Sequence, residues 1–358
     1  MNAQFTQHNL IFKQASGTSR GVLTTKETYL LEISKNGQKG IGECAIFRGL
    51  SYDDVPDYEE KLTWLCENIN LDFEVLKKEL LHYPSIIFGL EQALLNLEHG
   101  EDLYFPSDFT DGKDSIKING LIWMGNADFM QSQIEEKLAK GFDCIKLKIG
   151  VDWKSEKEII KKLREKFPKE QLELRVDANG AFSYEEASMV LQELADLGIH
   201  SIEQPIKKSE VRSPKSEENS EINSTDYCVP WNEMAKLCAE TPTPIALDEE
   251  LIGIIDFEEK KKLLETIKPQ YIILKPALVG GFSGSDEWIV LAESLGINWW
   301  ITSALESNIG LNAICQYTYT KKNPLPQGLG TGALFTNNFE THLQLEGDQM
   351  WHKKTPYY

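Results

Sequence analysis

Between residues 142 and 275 the chain repeats one pattern: a short apolar run that closes on an ionisable residue, then a stretch with apolar positions at helical spacing. The runs are 142–149, 172–177, 201–203, 244–248 and 271–275, and they close at Lys148, Asp177, Glu203, Asp248 and Lys275. Short, mostly apolar runs of this length predict strands. The intervening stretches 153–166, 184–197, 231–240, 256–267 and 285–295 predict helices. The five closing residues are separated by 29, 26, 45 and 27 positions. One strand, one helix and two short loops occupy about 25 to 30 residues, the βαβ unit. Repeated in a single right-handed sense, that unit closes a barrel whose reactive groups sit where the strands end. Side chains two apart on a strand share a face, so Lys146 and Lys148 project together. They point either into an enclosed mouth or, on a half-exposed edge strand, into water.

The barrel pattern begins near residue 114, with 115–123 as its first strand, and runs through 297–302 to a short last strand at 325–329. It is interrupted once. The interval from Glu203 to Asp248 is longer than the others by roughly 18 residues, accounted for by the polar segment 207–227. That segment has few apolar anchors and is predicted to be a mobile surface insertion, a plain excursion or a flap over the mouth. Residues 1–112 read differently. Strand-like runs at 10–13 and 29–34 are followed by Asn36-Gly37, a two-residue hairpin signal, and then by helical patterns at 57–68, 73–82 and 85–98. Strands followed by helices, without alternation, predict a separate α+β domain. The barrel is assigned to 113–335, and the tail 336–358 is expected to pack back on the body.

Composition narrows the function classes. A chain of 358 residues with 41% hydrophobic positions buries a full core, and a net charge of −19 excludes nucleic acid and anionic membrane as favoured partners. The opening residues lack the basic and apolar regions of a secretion signal, and no apolar run is long enough to span a membrane. Cys44, Cys66, Cys144, Cys228, Cys238 and Cys315 form no CxxC pair and are expected to be reduced thiols of a cytoplasmic protein. The six histidines are dispersed as well, which argues against a zinc site built from His and Cys.

Asp177, Glu203 and Asp248, from three successive strands, place three carboxylates at one side of the mouth. Held close, they repel one another unless a cation lies among them. An oxygen-only site suits Mg²⁺, with Mn²⁺ as a substitute. Asn179 is positioned for substrate or for a group behind the ligands, and Glu249 is expected to support the ligands from behind. Arg175 shares the inward face with Asp177 one layer deeper, where it either helps keep the pKa of the lysines low or pairs with an acid. Lys148 and Lys146 precede this trio and Lys275 follows it. A lysine titrates near about 10.4, and positive neighbours with partial burial bring such a base towards about 7 to 8. Lys146 and a cation are the groups that would tune Lys148. A base beside a divalent cation suits removal of a proton α to a carboxylate. The competing reading makes Lys275 a Schiff-base nucleophile, though imine chemistry has no use for three carboxylates.

These residues resemble the enolase superfamily, in its muconate-lactonising subgroup. The resemblance rests on Lys146-Leu147-Lys148, on Asp177, Glu203, Asp248 and Lys275, and on the stretches 88–93, 175–179, 202–205, 246–249 and 303–311. It covers nearly the whole chain apart from 207–227. The resemblance implies a modified (β/α)7β TIM-type barrel with an N-terminal α+β capping domain. It also implies a lyase: a Mg²⁺-dependent dehydratase of a small cyclohexadiene carboxylate, serving menaquinone synthesis. In that chemistry Lys148 removes the α-proton, and Lys275 and the metal stabilise the enediolate. The substrate's succinyl tail would lie against the loop at Phe47, and its carboxylate would meet backbone N–H groups near Ser303 and the turn holding Gly330 and Thr331. A racemase of N-acylamino acids or an epimerase of dipeptides uses the same lysines on both faces and stays open as the alternative, as does a non-catalytic binding protein.

Overall fold

The computed structural model describes residues 1–18, 21–123, 127–208 and 231–353. Strands β1 (Asn2–Thr18), β2 (Gly21–Lys35) and β3 (Gln38–Cys44) form an antiparallel sheet in that order. Lys35 pairs with Gln38 across Asn36 and Gly37, whose φ values of 53° and 82° are those of a two-residue turn that matches strand twist. Helices α1 (Tyr58–Asn68), α2 (Phe73–Glu79) and α3 (Pro84–His99) cover one face of the sheet. Helix α3 lies almost directly on β3. A Cβ on Gly42 would come within 1.9 Å of the Gly89 carbonyl, so this approach requires glycine on the strand. From Pro84 to Ala93 every residue of α3 is buried. Ile86 and Leu90 face the cap core and Phe88 faces the barrel core.

Strand β4 (Ser115–Lys117) is followed by β5 (Gly120–Ile122), α4 (Ala127–Ala139), β6 (Cys144–Lys148), α5 (Trp153–Lys166), β7 (Glu173–Asp177) and α6 (Tyr184–Asp196). Next come β8 (Ser201–Glu203), α7 (Asn232–Glu240), β9 (Ile245–Leu247), α8 (Phe257–Ile267) and β10 (Tyr271–Leu274). The short α9 (Pro276–Val279) leads into α10 (Gly281–Ser294), β11 (Asn298–Ile301) and α11 (Asn308–Thr320), and the hairpin β12 (Leu343–Glu346) and β13 (Gln349–His352) ends the described chain. Strands β5 to β11 pair in parallel, each with its sequence neighbour, and single parallel bridges Thr302–Gly328 and Ile118–Gln327 close the ring. The fold is a modified TIM barrel with an α+β cap.

Two expectations are corrected in detail. The stretch 115–123 is two strands. Its first half, β4, pairs antiparallel with β13 of the tail, and only β5 enters the barrel. The expected last strand at 325–329 is reduced to the two bridges, because Pro324 and Pro326 lack the N–H a ladder needs. The segment 207–227, from residue 209 onward, lies outside the described residues. No helix among the described residues is long and apolar enough to cross a membrane.

The cap is fastened to the barrel by a buried carboxylate. Glu43, at the end of β3, accepts hydrogen bonds from Thr28 Oγ1 (2.8 Å), Ser307 N (3.0 Å), Ser307 Oγ (2.5 Å) and Gly310 N (2.9 Å). It thereby satisfies the amides at the start of α11, where the helix dipole favours negative charge. Glu43→Ala strands these donors out of water and is expected to cost about 3 kcal/mol. Urea denaturation checks this, and a loss under about 0.5 kcal/mol would mean the seam is held elsewhere.

A candidate active site at the mouth of the barrel

Register brings the charged residues to one level. Lys148 pairs with Asp177 and Asp177 with Glu203, while Asp248 and Lys275 follow immediately after β9 and β10. Asp177, Glu203 and Asp248 are each only 2% exposed. In sheet order the three acids lie between the two flanks of lysine. On one flank Lys148 Nζ donates to Asp177 Oδ2 (2.9 Å) and Asn179 Oδ1 (2.6 Å), and Lys146 Nζ donates to Glu203 Oε2 (2.6 Å) and lies 3.4 Å from Asp177. On the other flank Lys275 Nζ donates to Asp248 Oδ2 and lies 3.8 Å from Glu203.

Burial works to raise the pKa of all three acids, and their neighbours decide the outcome. Asp177 nonetheless falls well below the carboxylate range, because Lys148 and Lys146 outweigh burial. Glu203 is pushed up, by burial and by the charge of Asp177, and Asp248 is raised by burial. For Lys146 and Lys275 burial alone lowers the pKa, but Glu203 and Asp248 respectively outweigh it and both ammonium groups stay charged. The two ammonium groups thus occupy the gaps between adjacent acids. Glu203 Oε1 and Glu249 Oε2 are buried without a hydrogen-bond donor. Three hard oxygen donors with an unsatisfied carboxylate oxygen between them fit a divalent cation of the Mg²⁺ kind.

Supporting groups stand behind this trio. Asn179, at φ 45°, donates from Nδ2 to Glu249 Oε1 (3.1 Å) and from its backbone N to Asp177 Oδ1 (3.1 Å), so it couples the ends of β7 and β9. Of the two roles open to Arg175, the structure shows the pairing with an acid, one layer deeper than the ligands. Arg175 pairs with Glu173 (2.7 Å), donates to the Pro326 carbonyl (2.8 Å) and lies 4.3 Å above the Trp300 ring. Sequence reasoning missed Gln204. Its Oε1 accepts from the backbone N of Asp248 (3.2 Å) and Glu250 (3.3 Å), setting the position of the third acid from the neighbouring strand. The positive φ of Gln204, 40°, follows from that task, and nothing in a single sequence signals it.

The acids and lysines open into a cavity of roughly 840 Å³, its open mouth included. Phe47, Leu50, Leu121, Trp123 and Leu305 form apolar walls, and Ser303, Gly330 and Thr331 line another side. The Ser303 amide, expected to meet a substrate carboxylate, is already committed. It donates to the Gly328 carbonyl (3.0 Å) in closing the barrel, and the Ser303 hydroxyl donates to Glu306 (2.6 Å). Thr331 Oγ1 donates in turn to Ser303 Oγ (2.7 Å). The histidines, dispersed in sequence, are not all dispersed in space. His342 and His352 meet at Asp102, away from this cavity.

A capped barrel with acids at the ends of three successive strands and lysines on both sides is the architecture of the enolase superfamily, and residues 130–216 match the family model described as enolase C-terminal domain-like. The chain is 42% identical to the o-succinylbenzoate synthase of Desulfotalea psychrophila, over 97% of its own length and 98% of that protein. The crystal structure of MenC from the same organism superposes with a TM-score of 0.83 at 40% identity, covering 98% of this chain and 99% of that one. The N-succinylamino acid racemase of Thermus thermophilus is 33% identical over 82% of this chain and 75% of its own. The chain belongs to the o-succinylbenzoate synthase family.

Proposed function

We propose that the protein catalyses the syn-dehydration of 2-succinyl-6-hydroxy-2,4-cyclohexadiene-1-carboxylate to 2-succinylbenzoate, a step towards menaquinone. The observation that carries this reading is the pair of ammonium-bearing arms flanking the buried acids, Lys148 with Asp177 on one side and Lys275 with Asp248 on the other. A Mg²⁺ ion held by Asp177, Glu203 and Asp248, with Mn²⁺ as a substitute, would supply a fixed double charge beside the substrate carboxylate and make its α-hydrogen acidic. Lys148 takes that proton. The ammonium of Lys275, on the opposite flank, offsets the negative charge that develops on the carboxylate. Lys148 then returns its proton to the departing hydroxyl on the same face, and water leaves as the ring becomes aromatic. Lys146, paired with Glu203 and Asp177, contributes a positive neighbour to the base. The apolar walls suit the ring and the methylenes of the succinyl chain, with Phe47 and Leu50 above them. We place the reaction in the cytoplasm, because Cys44, Cys66, Cys144, Cys238 and Cys315 are free thiols.

Racemisation of N-succinylamino acids is the second reading, favoured by the position of Lys275 and by the racemase relative. There Lys275 would deliver a proton to the face opposite Lys148. Two assays on one preparation with Mg²⁺ separate the readings: loss of the cyclohexadiene, and deuterium exchange at the α-carbon of N-succinyl amino acids. Dehydration is expected to exceed exchange in kcat/KM by at least about tenfold, equivalent to about 1.4 kcal/mol of transition-state preference. Exchange without dehydration would overturn the first reading.

A further inference from the structure

Asp102, in the segment between α3 and β4, receives both histidines of the C-terminal tail. His342 Nδ1 lies 2.6 Å from Asp102 Oδ2 and His352 Nε2 lies 3.0 Å from the same oxygen, with the two rings 5.4 Å apart. Lys353 N donates to the His342 carbonyl, so the hairpin backbone fixes the spacing of the two rings. The other ring nitrogen of His352, Nδ1, faces the Thr110 carbonyl at 3.2 Å. A carbonyl only accepts, so Nδ1 carries a proton. In a neutral imidazole the lone pair is then on Nε2, aimed at a carboxylate oxygen 3.0 Å away. Two lone pairs do not hold that separation without positive charge between them, and the His352 side chain is fully buried. Asp102 Oδ1 is also buried and accepts no hydrogen bond.

We propose that Asp102, His342 and His352 form a binding site for a divalent transition metal of the zinc class, separate from the barrel mouth, which ties the C-terminal hairpin to the segment joining cap and barrel. One ligand atom from each residue lies within 4.8 Å of the others, close enough to share an ion after a small outward shift. Two imidazoles and one carboxylate select zinc-class ions over Mg²⁺, whose preference is for oxygen. The Nδ1–H of His352 donating to Thr110 O is the outer contact that orients a ligating imidazole and exposes its second nitrogen to metal. His342 is 24% exposed, so water can complete a four-coordinate shell from that side. None of the three residues lines the barrel-mouth cavity.

The test is a Co²⁺ titration of chelator-treated, full-length protein with Mg²⁺ kept saturating, read by the intense visible absorption of four-coordinate cobalt. The expected result is a band that saturates at one equivalent and is displaced by Zn²⁺. His342→Ala should weaken it at least about tenfold, with dehydration under Mg²⁺ unchanged. Asp102→Asn, which keeps the side-chain shape, should do the same and provides the check if the alanine variant folds poorly. A Zn²⁺-dependent rise in melting temperature should appear in the parent and vanish in both variants. Absence of the band in the parent, or its persistence in both variants, overturns the proposal. NMR showing His352 protonated on both nitrogens with Zn²⁺ present would likewise overturn it, leaving only an ion pair.

Discussion

Lys148→Ala is expected to lower kcat for dehydration by at least about 10⁴-fold, the upper end of what one proton-transfer group contributes. The reason is positional. Lys148 is the last residue of β6, its side chain 13% exposed and lodged between Asp177 Oδ2 and Asn179 Oδ1, on the rim of the cavity that receives substrate. In the proposed reaction it acts twice, taking the α-proton and returning it to the leaving hydroxyl, so its loss stops both halves. The fold should survive. Lys146 still faces Asp177 at 3.4 Å, so the acid retains a positive partner. Lys148→Arg should fail nearly as completely, because a guanidinium keeps its proton at neutral pH and is too large for the same berth. Single-turnover kinetics with Mg²⁺ saturating, beside far-UV circular dichroism, is the measurement. Turnover within tenfold of the parent would remove Lys148 from the role of base.

The parts of this design visible in sequence share one physical origin. Strands covered on both faces are mostly apolar, so an ionisable residue at the C-terminal end of each run marks where the strand leaves the core. Lys148, Asp177, Glu203, Asp248 and Lys275 were therefore conspicuous, and parallel register brought them to one level. What stayed hidden depends on partners distant in sequence. The split between β4 and β5 arises because Ile116 pairs with Met350 of the tail. Gln204 acts through backbone amides 44 and 46 positions away, a geometry without local pattern. The Ser303 amide looked available because barrel closure at Gly328 consumes it only in the folded chain. Asp102, His342 and His352 lie on separate stretches, so their meeting follows from the antiparallel return of the tail rather than from any spaced motif.

Glu203→Gln should separate metal binding from base chemistry, since it is expected to weaken Mg²⁺ affinity by about 100-fold or more while leaving Lys148 in place. Glu203 sits at the centre of the trio, between Asp177 on β7 and Asp248 after β9, with Oε1 accepting no hydrogen bond. Burial and the charge of Asp177 raise its pKa. A carboxyl with a raised pKa binds its proton more readily, and it must release that proton before it can ligate a cation. Mg²⁺ binding to the parent protein should therefore release protons, and affinity should increase with pH. The amide has no proton to release, so this contribution to the pH slope disappears in the variant. Calorimetry in two buffers of different ionisation enthalpy measures both quantities. The variant should regain part of its activity as Mg²⁺ is increased, whereas Lys148→Ala should regain none at any concentration. Equal Mg²⁺ affinity in parent and variant would mean that the cation is held by other groups.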